Sequence, residues 1–183
     1  MMFLSTKRLI LREFMPEDWQ AVLAYQANSR YLKFSEWETR SEADVRAFVE
    51  MFLKQQQQVP RIKFQLAVEL KYEGKLIGNC GIRKQQPESH EASLGYEIAP
   101  DYWGKGYATE AAATILKFGF EELKLHRVYS WCIAENTASV RVLEKIGMQL
   151  EQRLPENERF KGRLWDILIF GISKDEWLNK TEQ

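Results

Sequence analysis

Residues 94–111 read LGYEIAPDYWGKGYATEA, and the reading of the whole chain turns on this stretch. An apolar strand-like run, Leu94 to Ile98, leads into a turn punctuated by Gly104 and Gly106, and a helix-forming segment opens directly after it at Tyr107. Glycine lets the backbone turn sharply and approach a ligand closely. The first amides of the following helix have no carbonyl partners and lie at the positive end of its dipole, so such a turn is built to hold an anion such as a pyrophosphate. Two glycines ahead of a helix also describe a plain strand-to-helix turn. The surrounding sequence has to separate the two.

Two widespread nucleotide-binding patterns fail here. A Walker loop needs GxxxxGK[ST], which occurs nowhere in the chain. A dinucleotide fold needs GxGxxG, but the third position is Thr109, and the acidic pair Glu121 and Glu122 falls near a helix end rather than a strand end.

The elements on either side alternate between strand and helix. Lys7 to Phe14 reads as an opening strand, and Pro16 suits the first turn of a helix running to about Asn28. Ser41 and Asp44 form a capping box for a second helix through Phe48, Met51 and Phe52, which ends in the low-complexity run Gln55 to Gln58. Strands follow at Phe64 to Lys71 and Lys75 to Lys84, joined by Tyr72-Glu73-Gly74, with a third from Ala92 to Ile98. A helix from Tyr107 to about Leu123 crosses over to a buried strand, Val128 to Ile133, which makes the strands before and after it parallel. Asn136 to Ile146 reads as a helix ended by Gly147. Two strands, Gln149 to Leu154 and Trp165 to Ile172, and a tail helix capped by Ser173 complete the order. No linker or repeat divides the chain, so residues 1–183 read as a single mixed α/β domain.

Composition narrows the function. With 183 residues, 45% of them hydrophobic, the chain can bury a core. Its 26 basic and 26 acidic residues cancel, which points away from a nucleic-acid partner. No charged-then-apolar leader and no long apolar run suggest secretion or a membrane, and Cys80 and Cys132 sit in apolar strand-like runs as buried free thiols. The expected setting is the cytoplasm. His90 and His126 stand apart from any second ligand type, so no metal is expected, and no Ser/His/Asp set argues for nucleophilic catalysis.

The glycine turn closely resembles motif A of the GNAT superfamily of N-acetyltransferases, whose pattern [Q/R]xxGx[G/A] cradles the pyrophosphate of acetyl-CoA. It falls on Trp103, Gly106 and Ala108. Trp103 departs from the usual Gln or Arg and cannot make that polar contact, whereas the amides from Gly104 through Lys105, Gly106, Tyr107 and Ala108 to Thr109 still can hold phosphate. YWGKGYATEA is similar to the RimJ and RimL branch of ribosomal-protein acetyltransferases. The order of elements agrees with the GNAT fold: a mixed, mostly antiparallel twisted sheet of about seven strands, a splayed parallel pair at its centre, and about four flanking helices. In that fold the splay frees backbone groups around Tyr96, Glu97 and Ile98 to pair with the pantetheine amides of acetyl-CoA.

A second segment, ENTASVRVLEKIGM from Glu135 to Met148, carries core positions at helical spacing in Val140, Leu143 and Ile146. Asn136 reads equally as a helix cap or a cofactor ligand. The segment resembles GNAT motif B in its RimL-like form, which implies that Asn136 contacts the pantetheine arm or the local backbone. Many GNAT enzymes protonate the leaving thiolate with a tyrosine seven residues after that Asn. Here the position is Leu143, and the resemblance to RimL-type enzymes passes the role to Ser139. The same resemblance puts the base at a glutamate nineteen residues beyond the serine and eight before an Asp, spacings that Glu158 and Asp166 satisfy. Glu97 is the rival base, linked through water.

Direct transfer needs a neutral amine, a positioned thioester and a proton for the thiolate. Neutralising a lysine amine at pH 7 costs about 4.6 kcal/mol, against about 1 to 1.4 for an N-terminal amine, which favours the second acceptor for a weakly placed carboxylate. The expectation is an acetyl-CoA-dependent N-acetyltransferase acting on the N-terminus of a protein such as a ribosomal protein, with a small-molecule amine (metabolite, polyamine or antibiotic) as the alternative and a non-catalytic CoA-binding module as a third. Arg12, Trp37, Glu158 and Phe160 are the candidates for acceptor binding, and a homodimer through an exposed strand or helix face is left open.

Overall fold

The computed structural model describes residues 2–181. Its strands are β1 Phe3–Ser5, β2 Leu9–Arg12, β3 Lys63–Leu70, β4 Lys75–Lys84, β5 Glu91–Ile98, β6 Arg127–Ile133, β7 Gln149–Phe160 and β8 Arg163–Ser173. They form one sheet in the order β1-β2-β3-β4-β5-β6-β8-β7. Every neighbouring pair is antiparallel except β5 and β6. The helix α4, Tyr107–Glu121, crosses between those two strands, and a crossover of that kind is what permits parallel pairing.

Eight strands stand where about seven were expected. The expected opening strand, Lys7 to Phe14, overlaps β2 alone, because the chain reverses just before it. The Thr6 hydroxyl accepts from the amides of Arg8 and Leu9 at 3.2 and 2.8 Å. That local turn folds β1 back onto β2, with Phe3 opposite Arg12.

Five further helices accompany α4: α1 Trp19–Gln26, α2 Ser29–Leu32, α3 Glu42–Gln56, α5 Thr137–Lys145 and α6 Lys174–Thr181. The capping box of α3 is present, with the Ser41 hydroxyl accepting from the Asp44 amide and the Asp44 carboxylate from the Ser41 amide. Such a cap contributes about 1 kcal/mol. The short α2 accounts for part of the excess over the expected four helices; its N-cap is Asn28.

Side chains alternate between the two faces of the sheet, and one extra residue in β4 between Leu76 and Gly78 switches the faces along that strand. On one face Cys80, Ile82, Leu94 and Ile98 pack with Ala111, Ile115, Leu116 and Phe120 of α4 and Leu143 of α5. On the other, Ala67 and Leu76 pack with Val22 and Tyr25 of α1 and Val45, Val49 and Phe52 of α3. A smaller cluster joins Ile133, Trp165 and Ile167 to Phe34 and Phe160. Each fully buried Ile or Phe contributes about 1.5–3 kcal/mol.

The feature that positions the site is a gap. β5 pairs with β6 only from Glu91 to Ser93, against Arg127 to Tyr129. Past that point the strands part, one continuing to Ile98 and the other to Ile133. The Ser130 hydroxyl, buried, donates to the Leu94 carbonyl at 2.8 Å where they separate. Among the described residues no helix is long and apolar enough to cross a membrane.

Candidate active site

The glycine turn lies between the end of β5 and the start of α4. Gly104 and Gly106 have φ of 74° and 79°, a left-handed conformation that other residues adopt only with strain. Gly106 is the N-cap of α4, and its carbonyl accepts from the Glu110 amide at 3.0 Å. The amides of Tyr107, Ala108 and Thr109 precede the first intrahelical bond and have no carbonyl four residues back within the helix. A Cβ added at Gly104 would meet nothing within 4 Å. Gly104, Lys105 and Gly106 are all exposed, so the turn opens to solvent and fits a pyrophosphate. Lys105 also lies in the turn, with its ammonium 5.1 Å from the Tyr102 ring.

Trp103, which lacks the polar group of the usual Gln or Arg, makes a different contact within the protein. Its indole N–H donates to the Ile98 carbonyl at 2.6 Å and ties the turn to the end of β5. That bond also shows which way β5 faces. The ladder to β4 uses alternate residues, Glu97 opposite Asn79 and Gly95 opposite Gly81, and the Ala99 amide continues it to the Ile77 carbonyl. The backbone groups of Leu94, Tyr96 and Ile98 therefore face the gap. Ser130 and Trp103 take the Leu94 and Ile98 carbonyls, which leaves both backbone groups of Tyr96 and the Ile98 amide as the pairing groups on the gap side. The Glu97 backbone, expected among them, faces β4 instead.

Ser139 lies in the first turn of α5 against the gap. Its hydroxyl is 2.9 Å from the Tyr96 hydroxyl, and Tyr96 also reaches the Ser139 carbonyl at 3.1 Å. Ser139 further bonds the Cys132 thiol, which burial pushes up to about 11 despite that bond. Burial likewise raises the Tyr96 hydroxyl above the usual phenol range, so it stays protonated and can donate. Strand β5, strand β6 and helix α5 thus each supply one polar group to a single cluster. Asn136 is the N-cap of α5, with its side-chain oxygen accepting from the Ser139 amide at 3.2 Å. Leu143 is fully buried, an ordinary core residue.

Glu97 projects from the opposite face of β5, under α1 and α2. Tyr25 and Gln26 donate to its Oε1 at 2.6 and 2.9 Å, Asn79 donates to the same oxygen, and Tyr31 donates to Oε2. Burial and then the Glu97 charge hold the Tyr25 and Tyr31 hydroxyls well above the usual phenol range. With four donors on its carboxylate, Glu97 is an anchor joining two helices to β4, an arrangement ill suited to a water-linked base. Nothing along the chain signals this cluster, since Tyr25, Gln26, Tyr31 and Asn79 are far from Glu97 in sequence.

Glu158 lies on the same side of the sheet. An open cleft of about 200 Å³ is lined by Tyr129, Trp131, Leu154, Asn157, Glu158, Ile167 and Ile169. Trp131 is 59% exposed there, a large aromatic face turned to solvent. β7 reaches the cleft through a bulge: Leu154 pairs with Ile167 and Glu158 with Trp165, which gives β7 two extra residues. Within the bulge Glu156 has φ of 50°, and its amide donates to the Asp166 carboxylate at 2.9 Å. Bulges commonly re-aim side chains next to active sites. Glu158 is exposed on the rim.

The other acceptor candidates do not converge on this cleft. Arg12 is held by Asp18 and Glu69 at 2.8 Å each and is largely buried, which makes it structural. Trp37 packs against Phe48, with the Arg40 guanidinium 3.9 Å from its ring. Phe160 stacks on Trp165 at 5.0 Å beside the cleft.

A sheet that parts between two parallel strands, with a glycine turn opening a helix at one end of the gap and a hydroxyl cluster at its side, is the arrangement expected of the N-acetyltransferase fold. Residues 8–149 match the family model described as an acetyltransferase (GNAT) domain, and the chain belongs to that family. It is 38% identical to the uncharacterized N-acetyltransferase YnaD of Bacillus subtilis (strain 168), over 96% of this chain and 99% of that protein. The crystal structure of a GNAT-family acetyltransferase from Bacillus anthracis superposes with a TM-score of 0.84 at 34% identity, covering 95% of this chain and 99% of that one. A RimL ribosomal L7/L12 α-N-protein acetyltransferase, solved in complex with coenzyme A, shares the fold with a TM-score of 0.84 at 17% identity, covering 96% and 99%. The chain is an acetyl-CoA-dependent N-acetyltransferase.

Proposed function

We propose that the acceptor is the N-terminal α-amine of a protein, such as a ribosomal protein, modified in the cytoplasm. The observation that carries this reading is the acid content of the cleft. Among the described residues lining it, Glu158 is the one carboxylate, set among Tyr129, Trp131, Leu154, Ile167 and Ile169. A polyamine carries several positive charges and calls for several carboxylates. A single α-amine calls for one, and the apolar walls suit the first side chains of a peptide.

Acetyl-CoA supplies an activated carbonyl on a thiol leaving group. The turn amides from Gly104 to Thr109 hold its pyrophosphate, and the gap-facing groups of Tyr96 and Ile98 pair with the pantetheine amides. Asn136 keeps its side-chain NH2 for the same arm while its oxygen caps α5. Glu158 takes the proton of the acceptor amine, and Ser139 donates to the leaving sulfur. A carboxylate exposed to water is a weak base, adequate for an α-amine that costs about 1 to 1.4 kcal/mol to neutralise at pH 7 but poorly matched to a lysine at about 4.6.

The test is thiol release from acetyl-CoA with peptides of varied N-termini, the same peptides capped, free lysine, spermidine and aminoglycosides. Turnover of uncapped peptides, abolished by the cap, is the expected result. Turnover confined to the small amines refutes the acceptor assignment. Glu158→Gln should lower kcat by about 10²-fold with acetyl-CoA affinity intact, and an unchanged rate across the pH range removes Glu158 from the reaction.

A further inference from the structure

Arg8, between β1 and β2, reaches the glycine turn from the far end of the chain. Its Nη1 donates to the Lys105 carbonyl at 2.8 Å. Its Nε donates to Glu110 Oε2 at 2.6 Å, and its backbone amide to Glu110 Oε1 at 3.0 Å. The Thr6 hydroxyl donates to the same Oε1 at 2.6 Å. The guanidinium lies 4.5 Å from the centre of the Tyr107 ring, and its Nη2 is 3.4 Å from where a Cβ on Gly106 would stand. Glu110 lies in the first turn of α4. One arginine therefore grips both the turn and the helix that follows it.

The consequence follows from peptide geometry. In a trans peptide the carbonyl of one residue and the N–H of the next point in opposite directions. With the Lys105 carbonyl held against Arg8, the Gly106 N–H is directed away from Arg8. We propose that Arg8 is a positioning residue of the phosphate turn: by holding the Lys105 carbonyl it fixes the Lys105–Gly106 peptide so that the Gly106 amide is presented to the anion. The inference rests on the reading that this turn binds the pyrophosphate of coenzyme A. The role is orientation rather than charge, because Glu110 already neutralises the guanidinium at 2.6 Å.

The experiment is calorimetric titration of CoA, dephospho-CoA and pantetheine into the wild type, Arg8→Met and Arg8→Lys, at low and high salt. Arg8→Met keeps an apolar stem over Tyr107 and loses the bond to Lys105. It should bind CoA and dephospho-CoA about tenfold more weakly and pantetheine as the wild type does, with the same ratio at both salt concentrations. Arg8→Lys keeps the ion pair with Glu110, and with it the fold should Arg8→Met melt early. A single ammonium does not span both Glu110 and the Lys105 carbonyl, so it should show most of the loss.

Full rescue by Arg8→Lys, or a loss that vanishes at high salt, assigns the effect to charge and overturns the proposal. An equal loss for pantetheine places Arg8 outside the phosphate turn and also overturns it. If the wild type binds CoA no more tightly than pantetheine, the pyrophosphate reading falls and the role of Arg8 with it. If the wild type prefers CoA and Arg8→Met keeps that preference, the role of Arg8 falls alone.

Discussion

Replacing Tyr96 with Phe removes one hydroxyl from the cluster beside the gap and leaves the ring packing in place. That hydroxyl lies 2.9 Å from the Ser139 hydroxyl and 3.1 Å from the Ser139 carbonyl. The carbonyl belongs to α5 and keeps a helical acceptor role, so the loss that matters is the bond to the serine. A net hydrogen bond of this kind is worth about 1 kcal/mol, which at the transition state is about fivefold in kcat. The same loss in the ground state lowers Tm by about 2–4 °C for a chain of this size. Ser139→Ala, which deletes the proposed donor itself, should cost about 10²-fold. The informative measurement is a double-mutant cycle in steady-state thiol release. If Tyr96 acts by orienting Ser139, adding Tyr96→Phe to Ser139→Ala changes kcat no further, and KM for acetyl-CoA stays level throughout. An undiminished fivefold loss on the Ser139→Ala background refutes the coupling.

Glu97→Gln places an amide where Tyr25, Gln26, Asn79 and Tyr31 all donate, so at least one donor loses its acceptor, at about 1–3 kcal/mol. Thermal melting should show a clear loss of Tm; normal stability with collapsed turnover would instead make Glu97 the base. Gly106→Ala forces a methyl group onto a φ of 79°, at about 1–2 kcal/mol, and titration should show CoA bound about tenfold more weakly; unchanged affinity would mean the turn amides do not bind phosphate. Burial pushes the Glu110 carboxyl up, but bonds from Thr6 and Arg8 outweigh it and hold it below its usual 4.5. A carboxyl lowered on folding stabilises the protein above its unfolded value and ceases to as pH falls through the folded one. The Tm advantage of the wild type over Glu110→Gln should therefore be full at pH 7, begin to shrink near the unfolded value of 4.5 and vanish only below the lowered folded value, and a gap unchanged between pH 7 and strong acid counts against the linkage.

The parts legible in the sequence are those where local chemistry and periodicity agree. The run from Leu94 to Ala111 announces its strand, turn and helix, because positive φ demands glycine and the helix begins at once. Ser41 with Asp44 locates the start of α3 for the same local reason. The long outer strand runs on to Phe160, past the end near Leu154 that the sequence suggests. β7 is exposed along nearly its whole length, so no alternation marks it, and Pro155 argues against a strand although an edge strand with a bulge accommodates one. Charge clusters were the least legible. The sequence suggests Arg12 as an acceptor contact, whereas Asp18 and Glu69 hold it, and nothing along the chain singles out Arg8, because Lys105 and Glu110 meet it only in the fold.

The short pairing of β5 with β6 also has a mechanical meaning. Between β1–β5 on one side and β6–β8 on the other, the sheet is stitched over three residue pairs, Glu91 to Ser93 with Arg127 to Tyr129. Across a joint of three pairs few backbone hydrogen bonds tie the two halves, and a substrate arm bonded along its open length would add to them as a splint does. The brace is thermodynamic as well: a ligand at a hundred times its Kd adds about 2.7 kcal/mol to the folded state. A ligand bonded along the gap would then hold the two halves of the sheet together as well as occupy the site, so binding and folding stability should rise together.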